Sequence, residues 1–219
     1  MPTIELGAST TSRNRDVERN IKHVLASQGG MQEVVRFPWV KDRYLDATGF
    51  DPSVGLRLAD PPGPDQASLQ PSLVPGLVEC IEANLRFETA FRVFTCDDVY
   101  GVERSALFQA GEELPSQQRH VSGAFVGRDL QSLVREARGV LDTVFRAAHL
   151  APYHTEPTTD AAWAAPGAQL ALKNEAGTVG IFGVISERTR HRAGLKRAEA
   201  VIFTLFLEAL KPFGTRENT

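Results

Sequence analysis

The chain has no basic excess. Its 24 Lys and Arg are outweighed by 27 Asp and Glu, giving a formal net charge of -3. That argues against a general nucleic-acid or membrane surface and leaves room only for a local basic patch. Long apolar runs are missing too: none approaches the roughly 20 residues that cross a bilayer. The stretch MPTIELGASTTSRNR lacks the apolar centre of a secretory signal. The expected address is therefore the cytoplasm, with no membrane partner. Cysteine is scarce. Cys80 and Cys96 form no C-x-x-C pair and no metal spacing, so they read as free thiols in packed positions, and no metal site is expected. There is no Gly-rich phosphate loop of the P-loop or dinucleotide type, and no internal repeat.

What is present suffices for a core. Hydrophobic residues make up 42% of the 219 and charged residues 23%, the balance of a soluble globular domain. Residues 1–14 are expected to be a disordered N-terminus, 15–212 one domain, and 213–219 a disordered tail.

Apolar periodicity sets the elements. From Arg15, Val17, Ile21, Val24 and Leu25 recur at helical steps, and Gly29-Gly30 ends that helix. A strand is expected from Glu33 to Phe37, closed by Pro38. Residues 41–55 read as irregular and polar, Leu56–Leu58 as a short strand candidate, and 60–65 as a rigid connection. Ser72 is the expected N-cap of a helix carrying Leu73, Val74, Leu77, Val78, Ile81 and Leu85. Two strand-like runs between Phe91 and Val126 flank a polar loop. Arg128–Leu150 is the strongest helix, with His149 near its C-terminal end, where a cation would suit the dipole. Residues 151–167 read as a Pro/Thr-rich loop. Ala168–Leu172 and Thr178–Ile185 are strands joined by the Asn174–Gly177 turn. Ser186 caps a basic helix from Glu187 to Arg192, and a strand from Ala200 to Leu207 precedes a last turn through Leu210. Strands arriving as hairpins between helices, with no parallel βαβ rhythm, predict an α+β fold whose antiparallel sheet is covered on one face.

Individual residues carry little chemistry. Gly180 and Gly183 read as close backbone packing inside a strand. The histidines read as surface or capping groups. Asp97-Asp98 suggests a strand-end turn more than a cation site. The basic run Glu187–Arg192 reads as a solvated helix face before a phosphate-binding one.

Taken in order, larger pieces say more. Gly30-Met31-Gln32-Glu33-Val34-Val35 follows the first helix, and Ala59-Asp60-Pro61 leads to Gln70-Pro71-Ser72-Leu73-Val74-Pro75-Gly76-Leu77. Phe91-Arg92-Val93-Phe94, Val99-Tyr100 and His120-Val121-Ser122-Gly123 come next. Val179-Gly180-Ile181-Phe182-Gly183-Val184-Ile185 and Gly194-Leu195-Lys196-Arg197 close the set. This ordered series, spanning about residues 15–212, resembles the class II core-like module of the phenylalanyl-tRNA synthetase β subunit. The resemblance implies a six- or seven-stranded antiparallel sheet flanked by helices, and a catalytically silent relative of the α subunit's active core. It also implies a dimer-forming opening element, here Val17, Ile21, Val24, Leu25, Val34, Val35 and Phe37. Helix packing on the chain's own sheet explains the helical part of that set equally well. The β subunit's editing and anticodon-binding modules are not carried over.

Active class II members end one strand in F-R-x-E, whose Arg holds the ATP α-phosphate. The matching tetrad here is Tyr100-Gly101-Val102-Glu103, with Gly101 in the Arg position. The Arg that meets the γ-phosphate aligns with Ala209. A planar, permanently charged fork is what binds such oxyanions. Its loss at both positions argues against ATP as a cofactor and against amino-acid adenylation. Arg92 and Arg104 are the nearest substitutes.

Three functions follow as expectations. The first is a free-standing pseudo-synthetase that dimerises, with itself or with an α-like synthetase subunit, as a scaffolding or binding protein. The second is a ligase or acyl-transfer enzyme of secondary metabolism that reuses the cleft, with Tyr100, Glu103, Arg119, His120 and Trp163 as candidate cleft residues. The third is a tRNA- or amino-acid-binding regulator resting on the basic segment Arg188–Arg197, against which the net charge weighs.

Overall fold

A computed structural model describes residues 13–104, 115–196 and 198–210. The side chains of Arg13, Asn14 and Arg104 lie outside that description, as do Arg197, both termini and the polar loop between the hairpin strands. The elements run in chain order as α1 (Arg13–Ser27), β1 (Gln32–Glu33), β2 (Trp39–Val40), α2 (Asp42–Ala47), β3 (Ser68–Leu69) and α3 (Val74–Asn84). They continue as β4 (Phe91–Arg104), β5 (Pro115–Gly127), α4 (Leu130–Ala147), β6 (His154–Pro157), β7 (Ala164–Asn174), β8 (Gly177–Ile185), α5 (Glu187–Ala193) and β9 (Glu199–Phe206). A 3-10 turn, Leu207–Ala209, follows.

Among the described residues, seven strands form one sheet in the order β1-β4-β5-β9-β8-β7-β6, and β2-β3 form a separate ribbon. All pairs in the large sheet are antiparallel except β1 with β4. The fold is therefore α+β with a mostly antiparallel sheet. Its middle strand is β9, flanked by β5 and β8; the β4–β5 hairpin is in register from Phe91↔Val126 to Gly101↔Ser116 and irregular between Gly101 and Arg104.

Two layers cover this sheet, one on each face. Side chains alternate along a strand, so Phe94, Val121, Phe125, Val201, Phe203 and Leu205 face α1 and α4 in the first core. Val93, Ala124, Val126, Ala200 and Ile202 face α2, α3 and α5 in the second. The sequence pattern predicted helices on one face only. Of the second layer, α3 and α5 were expected as helices and only the six-residue α2 was not; which face of the sheet a helix covers is set by contacts distant in sequence, which periodicity does not report.

Local chemistry sets the ends of the elements. Asp129 accepts hydrogen bonds from the backbone of Gln131 and Ser132, which starts α4. Ser186 caps α5 through Thr189 N, and Gly194, at φ 75, ends it. Ser72 still serves α3, accepting from Val74 N at 3.2 Å, although the helix begins a residue later than a Ser72 cap requires. The expected strand Glu33–Phe37 shrinks to Gln32–Glu33, because Val35 and Phe37 turn out to solvent. The loop 151–167 contains β6, paired with β7. Residues 41–55 contain α2. The Leu56–Leu58 candidate makes true ladder bonds to Ala67 and Leu69 but only one bridge, Arg57↔Ser68. Cys80 is buried, Cys96 is half-buried, and both are free thiols.

Gly180 and Gly183 do serve close packing. A Cβ at Gly180 would lie 2.4 Å from the Thr204 carbonyl oxygen, and one at Gly183 would lie 2.9 Å from the Ala164 Cβ. Gly139, exposed on α4, has open space around it. Gly180→Ala is therefore expected to destabilise by about 1–3 kcal/mol. Gly139→Ala is expected to stabilise by roughly 0.5–1 kcal/mol. Urea unfolding of the two variants checks both signs, and equal signs would contradict the packing described.

Candidate functional site

The second helical layer does not reach the hairpin's distal end. There the sheet face carrying Gly101, Ser116, Gln118 and His120 is roofed by the turn around Gly49–Gly55 and by Pro71, leaving a cleft of about 520 Å³. The sequence-derived candidates Tyr100, Glu103 and His120 line it, and so does Gly101. The charged groups among its described lining residues are Asp51 and Glu103, both acidic. Gly101 lies directly against Ser116, whose Oγ would sit 2.5 Å from any Cβ there.

His120 is the buried polar group of this cleft. It is 8% exposed and its ring packs tilted, at 44°, against Phe206 with centroids 4.8 Å apart. Neither ring nitrogen has a hydrogen-bond partner among the described residues. Burial drives its pKa down to about 4, against the opposing pull of the Glu208 and Asp98 carboxylates, so the ring is neutral at pH 7. A buried unpaired polar group of this kind costs about 1–3 kcal/mol. Just behind it, Ser122 and Thr204 satisfy each other at 2.7 Å. The surface or capping role expected of the histidines fails at His120, because the strand carries it under the roof of the cleft.

Arg119 does not join the cleft. As the neighbour of His120 on β5 it points to the opposite face. There it meets Glu18 of α1 at 3.1 Å, Asp97 at 3.4 Å and Asp98 at 3.5 Å. Burial opposes both charges of the Glu18–Arg119 pair, but their hydrogen bonds prevail. The carboxyl is held below its usual range and the guanidinium above its own. Burial also pushes the nearby Cys96 thiol up to about 12, so it is no nucleophile at neutral pH. Asp97-Asp98 is not a strand-end turn: the pair lies mid-strand, in register with His120 and Arg119. Trp163 is also outside the cleft. It is 5% exposed in the second core, its ring lies over Gly183, and its carbonyl accepts from Ser186 N and Thr189 Oγ1, both at 3.0 Å.

Neither proposed substitute arginine can be placed in the cleft. Arg92 is tied to Glu136 of α4 and to the Val126 carbonyl at the hairpin's other end. The Arg104 side chain lies outside the described residues. Ala209 packs against the first core. In α5, Arg190 pairs with Glu199 at 2.5 Å and Arg192 with Asp46 at 3.0 Å, so much of the basic run is already neutralised.

The residues read as a dimer interface divide in two. Val17, Ile21, Val24 and Leu25 are buried in the chain's own first core, a correction forced by α1 packing on α4 and the sheet. Val34 is half-buried against the second core, while Val35 and Phe37 are 92% and 69% exposed. The Phe37 ring stacks on Trp39 at 4.6 Å.

Residues 1–207 match the family model described as "Phenylalanyl tRNA synthetase beta chain CLM domain". The chain belongs to this family. Its curated relatives include the phenylalanine–tRNA ligase β subunit of Geobacter sulfurreducens, 28% identical over 133 residues. That match covers 58% of this chain and 16% of the relative. The β subunit of Thermobifida fusca is 27% identical over 183 residues, covering 65% and 22% respectively. This CLM-family chain thus spans less than a quarter of the length of those relatives. The pyrrolysyl-tRNA synthetase of Desulfitobacterium hafniense shares its fold, with a TM-score of 0.70 at 15% identity, over 90% of this chain and 67% of the other. The CLM sheet is therefore a class II synthetase-like one. No helix of the described residues is long and apolar enough to cross a membrane.

Sequence reasoning missed the Gly49–Gly55 roof of this cleft, and with it Asp51. It also missed Ser116 and Gln118. Those two were legible as every second residue before His120, once β5 extends back to Pro115.

Because His120 titrates near 4 when folded and near 6.5 when unfolded, the unfolded chain binds more protons between those values. Stability is therefore full above about pH 6.5, falls as pH drops to about 4, and loses no more to this group below that. The loss is about 3 kcal/mol. In His120→Asn, unfolding free energies measured from pH 7 to 4 should lack that component of the slope. An unchanged slope would place the titration elsewhere.

Proposed function

We propose that this chain is a catalytically silent member of the CLM family. In this reading it acts by binding, as a partner for a second copy of itself or for an α-like synthetase chain. One observation carries the silence: the described lining of the cleft holds two carboxylates and no guanidinium or ammonium. A nucleotide triphosphate there would meet repulsion where the chemistry needs cationic clamps. Gly101 faces this space bare, and Ala209 is packed in the core away from it.

Pairing draws support from the strand edge beside the cleft, where the Pro38 carbonyl accepts from Gln70 N and the Gln70 carbonyl accepts from Tyr100 N. β1 is an edge strand, and Val35 with the Phe37–Trp39 stack leaves apolar surface in water beside it. A hollow of about 230 Å³ bordered by Val35, Phe37 and Trp39 adds relief for a partner side chain. The cleft's volume supports a second reading, a reused ligase or acyl-transfer pocket with Glu103 and His120 as its polar groups, Tyr100 bordering it from a strand position whose side chain alternates to the Arg119 face.

Amino-acid-dependent pyrophosphate exchange is expected to stay at background for every standard amino acid, in the native chain and in Gly101→Arg alike. Exchange with any of them would favour the second reading. Light scattering on the eluted chain at about 10 µM should give a dimer or a complex with a co-purified chain. Val35→Glu/Phe37→Glu should give a folded monomer, with an unchanged circular dichroism spectrum and a melting temperature that no longer varies with protein concentration. A native chain that is already monomeric and unaccompanied would overturn the pairing.

A further inference from the structure

We propose that the cleft at the distal end of the β4–β5 hairpin binds a small amine with an apolar body. The cavity, about 520 Å³, lies in the size range of small-molecule sites. One wall is apolar, from Phe50, Val54 and Val99, and would cover a ring or short alkyl group. Its charged groups, Asp51 and Glu103, are both exposed and both acidic. Asp51 Oδ1 already accepts from the Ser53 backbone and hydroxyl at 2.8 and 2.7 Å, which points the carboxylate and keeps it ionised.

The polar group that asks for a ligand is His120. It is more than nine-tenths buried, lines the same cleft, and has both ring nitrogens unpartnered among the described residues. A neutral imidazole carries one donor and one acceptor nitrogen. Both nitrogens are closed to solvent, so the ring turns toward the cleft when a ligand ammonium or amide N–H satisfies its acceptor, with Glu103 and Asp51 supplying the countercharge nearer the mouth. The opposite ligand, a phosphate or carboxylate, finds no cation among the described lining residues. Arg119, the nearest arginine in sequence to His120, is held on the other face by Glu18, Asp97 and Asp98. The site is thus selective by sign of charge, and this holds whether or not the chain pairs with another. A dimer that binds no amine and a monomer that binds one are separate outcomes, so the two readings fail separately.

The test uses three probes of one shape: benzylamine, benzyl alcohol and phenyl phosphate, titrated into the isotope-labelled full chain and followed by amide and imidazole resonances. Benzylamine should shift the His120 ring and the Gly101 and Gln118 amides, saturating with a Kd on the order of 1 mM. Benzyl alcohol should bind more weakly at the same signals, and phenyl phosphate should leave them unmoved. Asp51→Asn/Glu103→Gln changes only exposed side chains and should weaken benzylamine about fivefold. His120→Phe, which keeps a ring against Phe206, should abolish saturation. Three results would each overturn the assignment: equal binding of phenyl phosphate, benzylamine shifts confined to another surface, or unaltered benzylamine affinity in the double variant.

Discussion

The middle of the sheet is buried on both faces, and that constraint orders the rest of the molecule. From His120 to Gly127 every residue of β5 is buried, and so is every residue of β9 from Ala200 to Leu205. A strand covered on both sides cannot alternate apolar with polar. It must be apolar or small throughout, and any polar side chain must find a partner. Ser122 and Thr204 meet this by pairing across the strands. Gly123 meets it by carrying no side chain, since a Cβ there would lie 2.5 Å from the Phe203 ring. Large rings on one strand thus require absences on the next, and the helices on both sides follow from the apolar faces left exposed.

His120 marks where this regime stops. On one side of it along β5 lie fully buried positions; on the other, Gln117 and Gln118 are exposed. The helices of the second layer end short of it, and the turn around Asp51 arches over what they leave. The cleft is therefore a consequence of layer length and needs no specialised element. Its electrostatics follow from the period of a strand. Arg119 and His120 are adjacent in sequence, yet one joins a dense ion-pair cluster against α1 and the other faces an acidic cavity without a cation among its described residues.

Much of this was legible before any coordinates. The 3.6-residue stripe from Leu133 to Phe145 reports α4, and alternation around the Asn174–Gly177 turn reports the β7–β8 hairpin, because these elements are long enough for periodicity to show. The elements that escaped, β2, β3, α2 and β6, are between two and six residues long and borrow their stability from neighbours. Asp97-Asp98 was misread because two adjacent carboxylates suggest a turn. Arg119 overturns that by supplying the countercharge that lets them lie mid-strand. Trp163 looked like a cleft residue because a lone Trp between alanines gives no sign of the glycine, Gly183, across which it packs.

By itself the sequence determined the class of fold and the two strand runs of the β4–β5 hairpin. These depend on residue type and spacing along one chain. The tertiary structure alone decided which face each side chain serves. It spent Val17, Ile21, Val24 and Leu25 on the chain's own core, left Val35 and Phe37 outside, sent Arg119 away from the cleft, and sealed both nitrogens of His120 within it. The physical reason is that burial and pairing are set by groups distant in sequence. Glu18 reaches Arg119 from α1, and Asp51 reaches the cleft from a turn whose own residues show no periodicity to place it.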